Sequence, residues 1–163
     1  MSPLAQKYES NGYYGIGILY SDNQLNVGTL WRSAFILGAS FIYTIGRKYR
    51  VQSSDVTKSW SKLPLYHYSD FDHFFENLPY KIELVGIEMT PNAKPLDKLE
   101  HPKRAVYLLG NERSGLSDKA LERCRYVTYL PGEFSLNVAV AGSIVMYDRI
   151  SKIPTPLPRR VKE

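Results

Sequence analysis

The stretch LLGNERSGLS, Leu108 to Ser117, places Gly110 and Gly115 five positions apart, directly behind an apolar run. That spacing matches the two glycines of a phosphate-binding loop. The following residues are Leu116 and Ser117, however, and not the Lys-Ser/Thr pair that holds phosphate and magnesium. What remains is a strand, "RAVYLLG" over 104–110, and a glycine-bounded turn carrying Asn111, Glu112 and Arg113. A short helix capped by Ser117 follows over 117–123. Strand, polar turn and helix form the repeating unit of an α/β layer fold.

Reading outward, the same alternation recurs. Strands are expected at 15–20 ("GIGILY"), 40–46, 64–68, 81–89 and 126–132, and helices at 26–37, 70–78 and 136–150. In the first helix Val27, Leu30, Trp31, Ala34 and Leu37 fall at helical spacing, with Gly38 as the stop. The last helix is apolar nearly all round, from Leu136 and Val138 to Val145 and Met146, which predicts burial against the sheet or a second subunit. Val, Ile, Leu and Tyr runs alternating with helices argue for an α/β fold with a mostly parallel sheet flanked by helices. One domain over 1–152 accounts for this pattern. Residues 153–163, with three prolines and three cations, read as an exposed, mobile tail.

A chain of 163 residues suffices for one such domain. No apolar run is long enough to span a bilayer, and nothing at the N-terminus suggests export. The single cysteine, Cys124, excludes an internal disulfide and fits a reducing cytoplasm. A net charge of +5 points mildly towards a polyanionic partner. His67, His73 and His101 show no metal-ligand spacing to one another or to Cys124, and no metal is expected.

Ligands in an open parallel sheet gather at the carboxyl ends of the strands. Three polar, glycine-containing segments fall there: "NVGTLWRSA" (26–34), "GNERSG" (110–115) and "LPGEFSLNVAV" (130–140). In order and spacing they resemble the three motifs of the SpoU-type RNA 2′-O-ribose methyltransferases of the SPOUT superfamily. Asn26, Val27, Gly28, Arg32, Ser33 and Ala34 match the first motif. Gly110, Glu112, Gly115 and Leu116 match the second, and Pro131 with Ser135–Val138 matches the third. Only Gly132, Glu133 and Phe134 separate that proline from Ser135, fewer than family members often carry.

The resemblance implies a C-terminal deep trefoil knot, S-adenosyl-L-methionine as methyl donor with S-adenosyl-L-homocysteine as product, and a homodimer. It further implies an RNA substrate. The absence of an N-terminal extension resembles the minimal branch, whose members often modify tRNA, including the wobble position; ribosomal RNA is the alternative target. A non-catalytic RNA-binding protein on the same fold is the competing class.

Catalytic roles are implied for Arg32, Asn26, Glu112, Ser135 and Asn137. Arg32 is the family's proposed base; a guanidinium scarcely deprotonates, which favours a clamp on phosphate and developing alkoxide. Asn26 also fits a helix N-cap. Glu112 is expected to orient Arg32 or Asn26. Ser135 fits a cap of the last helix or a cofactor contact, and an amide at Asn137, in the first turn of an apolar helix, calls for a partner. Cofactor contacts carry over to Ile87, Glu88, Leu109, Gly110, Leu130, Ser135 and Leu136. For RNA, the segment 46–62 interleaves Arg47, Lys48, Arg50, Lys58 and Lys62 with Tyr49 and Trp60, and Arg113 lies in the second motif. Cations beside aromatic faces suit phosphates and unpaired bases.

Overall fold

The computed structural model describes residues 12–50 and 62–161. Its strands are β1 (Tyr13–Leu19), β2 (Phe41–Ile45), β3 (Leu65–Tyr68), β4 (Glu83–Ile87), β5 (Lys94–Pro95), β6 (Arg104–Leu109) and β7 (Tyr126–Tyr129). They form one seven-stranded sheet in the order β3-β2-β1-β6-β4-β7-β5, and every pairing is parallel. The helices are α1 (Gln24–Ile36), α2 (Phe71–Glu76), α3 (Asp118–Arg123) and α4 (Val138–Lys152).

Alternate residues of each strand face opposite sides, so the sheet has a core on each face. Ile16, Ile18, Ile42, Tyr107 and Leu109 pack with Val27, Leu30 and Ala34 of α1 and Ala139, Val145 and Met146 of α4. Leu19, Tyr43, Ile45, Val106 and Leu108 pack with Phe71 and Phe74 of α2 and Ala120 of α3. At Gly142 a Cβ would press on side chains of Leu30, Leu109 and Ile16, so α4 sits tight against both α1 and the sheet only because that residue is bare.

One buried cation holds the amino end of β6. Arg149, 1% exposed, donates to the carbonyls of Pro102 (2.6 Å) and Lys103 (2.7 Å) and to the Tyr107 hydroxyl (3.0 Å). Beside it His101 bonds Tyr107 through Nδ1 at 2.6 Å and Asp148 through Nε2 at 2.7 Å. Arg149 therefore serves the inside of the fold.

The expected elements differ from the observed ones in five respects. The cap of α1 is Asn23, whose side chain accepts from Leu25 N, so the helix begins before Asn26. The cap of α4 is Asn137, which accepts from Ala139 and Val140 N, and not Ser135. Helix α4 is buried on one side only, since Val140, Ile144 and Tyr147 are exposed. The start of the tail is not free: Thr155, Pro156 and Leu157 lie against Gly38, at the turn after α1. The two-residue β5, paired with β7, was not expected.

Candidate functional site

The loops after β1, β6 and β7 and the bend after β4 meet at the carboxyl edge of the sheet. Between β4, β6 and β7 they leave a cleft of about 380 Å³. It is lined by Ile87, Glu88, Leu109, Gly110, Leu130, Ser135 and Leu136, so the residues expected to meet a cofactor share one wall-to-wall space. Met89, Tyr129 and Phe134 also line it. Phe134 is 87% exposed, and its loop from Pro131 to Asn137 stands clear of the core.

The turn from Gly110 to Gly115 is built locally. Asn111 Oδ1 accepts from Arg113 N (3.0 Å), Ser114 N (2.8 Å) and Ser114 Oγ (3.0 Å), while Gly115 N returns to Asn111 O (3.1 Å). Asparagine closes its own turn in this way because its short amide reaches the backbone two and three residues on. A Cβ at Gly110 would overlap the backbone of Gly115, and Gly115 itself has φ +63°. The two glycines let the turn fold flat, and only glycine takes the second position without strain. Glu88 pins the turn to β4, accepting from Leu116 N at 2.8 Å and from Met89 N at 3.0 Å.

A relay of side chains joins the three motifs. The Asn26 amide donates to Glu112 Oε1, and the Asn137 amide donates to Asn26 Oδ1 at 3.0 Å. Asn26 is buried at 7% exposure, so the relay satisfies both ends of its amide. Glu112 thus holds Asn26 and not Arg32. Arg32 is exposed on α1 and has no hydrogen-bond or ion-pair partner among the described residues, which leaves its guanidinium available to a ligand. Ser135 lines the cleft, exposed, without capping α4.

The expected RNA-binding cations do not form one patch. Arg47 pairs with Asp22 at 3.0 Å, and Arg113 reaches the other oxygen of the same carboxylate at 3.5 Å. Lys48 and Arg50 are exposed beside them, and Arg50 N donates to Gln24 Oε1 at 2.9 Å. Lys62 instead lies at the opposite edge, before β3, with its ammonium 5.3 Å from the Phe35 ring centroid at the end of α1. Lys58 and Trp60 lie outside the described residues.

Sequence reasoning missed Asp22, Asn111, Met89, Tyr129 and Phe134. Asn111 carried a signal, an asparagine directly after a glycine at a strand end. The others carried none, because their places depend on which strands are neighbours. Cys124 is packed as expected: its thiol donates to Ala120 O at 3.2 Å, and burial pushes it up to about 12. Among the described residues no group of three or more His, Cys, Asp or Glu is placed to hold a metal ion, and no helix is long and apolar enough to cross a membrane.

The crystal structure of the SpoU methyltransferase AviRb from Streptomyces viridochromogenes is similar to this fold with a TM-score of 0.76 at 23% identity, over 88% of this chain and 60% of that one. A structure reported as giving insights into the 2-OH methylation of C/U34 on tRNA superposes with a TM-score of 0.76 at 21% identity, over 93% of this chain and 98% of that one. In sequence, 137 residues are 23% identical to the tRNA (guanosine(18)-2'-O)-methyltransferase TARBP1 of Mus musculus, covering 78% of this chain. The chain spans only 9% of that relative's length. Residues 19–147, which contain all three motifs, match the SpoU rRNA Methylase family as a whole, and the chain belongs to that family.

Proposed function

We propose that the protein is an S-adenosylmethionine-dependent methyltransferase acting on a ribose 2′-hydroxyl of RNA, with tRNA the favoured substrate. The observation that carries this reading is the Glu112–Asn26–Asn137 relay, which ties all three family motifs together beside a cleft of cofactor size.

The cleft fits the donor. Its walls come from the ends of β4, β6 and β7, and the Gly110–Gly115 turn that borders it folds flat because a Cβ at either glycine would collide with the turn or with Glu88. When bound, the cofactor supplies a methyl group activated by its sulfonium. The remaining work falls to the protein's own groups. Arg32 clamps the phosphate beside the target ribose and stabilises the charge that grows on the 2′-oxygen as its proton passes to water. That oxygen takes up the methyl carbon as the carbon's bond to sulfur breaks, the electron pair staying on sulfur. Asn26, fixed by Glu112 and Asn137, orients polar groups at the same end of α1. A turn held by Glu88 and Asn111 keeps the cleft in shape before ligand arrives, which lowers the cost of binding.

Three further assignments rest on the same reading. The exposed stripe of Val140, Ile144 and Tyr147, which with Thr29, Ala139 and Ser143 lines a shallow apolar groove, is the surface of a homodimer. The C-terminal knot implied by the family is supported by the strand order, in which the chain passes from central β6 across β4 to β7. A reducing cytoplasm suits the single protonated thiol.

The test is transfer of labelled methyl from S-adenosylmethionine to total small RNA, wild type beside Arg32→Ala, followed by nuclease digestion and mass spectrometry. A 2′-O-methyl nucleotide made only by the wild type is the expected result. Cofactor binding with no labelled RNA, across tRNA and rRNA, would point to a binding protein. Light scattering that returned an 18.7 kDa particle would remove the dimer.

A further inference from the structure

Strand order makes the end of β1 a special place. β1 lies between β2 and β6, so a residue just beyond it can touch the loops that leave both neighbours. Asp22 is that residue. One carboxylate oxygen holds Arg47, from the loop after β2, and the other holds Arg113, from the turn after β6. The carboxylate is 27% exposed, while the Arg47 and Arg113 side chains are 60% and 85% exposed, so both guanidinia keep open donors facing solvent.

The loop carrying Arg47 is fastened at several further points. Tyr20, itself at φ +52°, lays its ring over Gly46, where a Cβ would overlap it. Arg50 N donates to Gln24 Oε1 at 2.9 Å. The Tyr49 ring meets Trp31 edge-on at 5.5 Å between centroids, and a Cβ at Gly28 would touch its hydroxyl. The basic loop is thus strapped to α1, the helix that carries Asn26 and Arg32. Exposed ion pairs alone contribute little stability, roughly 0–1 kcal/mol. A strained tyrosine and a half-buried acid joining two loops are better explained by what they position.

The two sides of the β6 turn also divide the labour. Glu112 faces Asn26, and Arg113 faces Asp22. The cofactor-sized cleft extends towards β4 and β7, and Arg113, which lines its edge, reaches away from it to Asp22, where Arg47 also ends.

We infer that Arg47 and Arg113 form a two-guanidinium site for an RNA backbone phosphate, and that Asp22 is its positioning residue. This rests on the proposed reaction and adds where the RNA strand enters: over the ends of β1 and β2, beside the cofactor cleft whose edge Arg113 lines. The net charge of the three groups is positive, and two forked donors on one carboxylate are held ready for an anion.

The sign of one substitution separates this from a plain surface ion pair. Asp22→Asn removes a negative charge beside RNA, which by electrostatics alone tightens binding. Positioning predicts the reverse. With the full chain, unfractionated tRNA and saturating cofactor, Asp22→Asn is expected to raise the KM for RNA about five- to tenfold, with kcat within about twofold. Cofactor affinity by calorimetry is expected to stay unchanged. Arg47→Ala and Arg113→Ala are expected to raise KM similarly, and the slope of log K against log salt falls by roughly one for a lost phosphate contact. In the Arg47→Ala/Arg113→Ala background, Asp22→Asn should have no further effect. Equal or tighter RNA binding by Asp22→Asn, with wild type active, would overturn the inference and leave the proposed reaction standing. Failure of wild type to bind or methylate any RNA would overturn both.

Discussion

Asn137 donates its amide to Asn26 Oδ1 at 3.0 Å while its own Oδ1 accepts from Ala139 and Val140 N. One side chain therefore starts α4 and locks the third motif to the first. These two duties use different atoms, so they can be separated by mutation.

Aspartate keeps the cap oxygen and loses the amide donor. Asn137→Asp is expected to hold the stability of the wild type to within about 1 kcal/mol, since Asp and Asn cap almost equally well. Methyl transfer should fall at least tenfold, because two carboxylates then flank Asn26. Asn137→Ala loses both duties and should cost about 1 kcal/mol more in denaturant unfolding. Equal activity of the Asp variant would mean the bridge has no role in turnover.

Arg32 is exposed and without a described partner, so it contributes little to folding. Arg32→Ala should change stability by no more than about 0.5 kcal/mol while reducing kcat by about a hundredfold or more. Arg32→Lys should restore only part of that, since an ammonium keeps the charge but not the fork. Thermal melts beside single-turnover assays would check both halves; a large shift in melting temperature would mark Arg32 as structural.

The strands were legible as short runs of Val, Ile, Leu and Tyr between helical segments, because strands of a parallel sheet are covered on both faces. The start of α1 was not, because Asn23 and Asn26 both satisfy the cap pattern. What decides is the extended backbone of Asn23, φ −117°, which sequence does not display. Two residues at Lys94–Pro95 carry no periodicity at all, and only their pairing with β7 makes them a strand. The relay from Glu112 through Asn26 to Asn137 was half legible: the family motifs named its members, and the fold decided that Glu112 takes Asn26 instead of Arg32. Asp22 was invisible for a topological reason, since its partners come from loops that strand order alone makes neighbours.

The bare turn offers a third test. A methyl at Gly110 would overlap the Gly115 backbone, so Gly110→Ala must open the turn and break the Gly115 N to Asn111 O bond. Cofactor affinity by calorimetry should drop at least tenfold. Far-ultraviolet circular dichroism should stay close to wild type, because the change sits outside every helix and strand. Undiminished affinity would show that the turn adapts and does not shape the cleft.

The buried cluster at the other edge of the sheet sets a pH dependence of stability. Tyr107 accepts from Arg149 Nη1, so its own proton goes to His101 Nδ1, and His101 Nε2–H donates to Asp148. That arrangement needs a neutral imidazole. Burial drives His101 below its ordinary value of 6.5; bonding to Asp148 and its charge oppose the shift, while Lys152 and Arg149 add to it. As pH falls through 6.5 the unfolded chain takes up this proton before the native one does, so stability is full above that point and declines below it, until the folded value is passed. The slope for one proton is at most about 1.4 kcal/mol per pH unit. His67 is lowered in the same direction, by burial first and by Lys48 and His73, and adds to the decline. Urea unfolding of wild type and His101→Gln at pH 8.0, 6.5 and 5.5 is expected to show a lower starting stability for the variant and a shallower fall. Parallel curves for the two proteins would mean that His101 takes up its proton over the same pH range in the native and unfolded chains, and so that the Tyr107–His101–Asp148 chain does not hold it neutral.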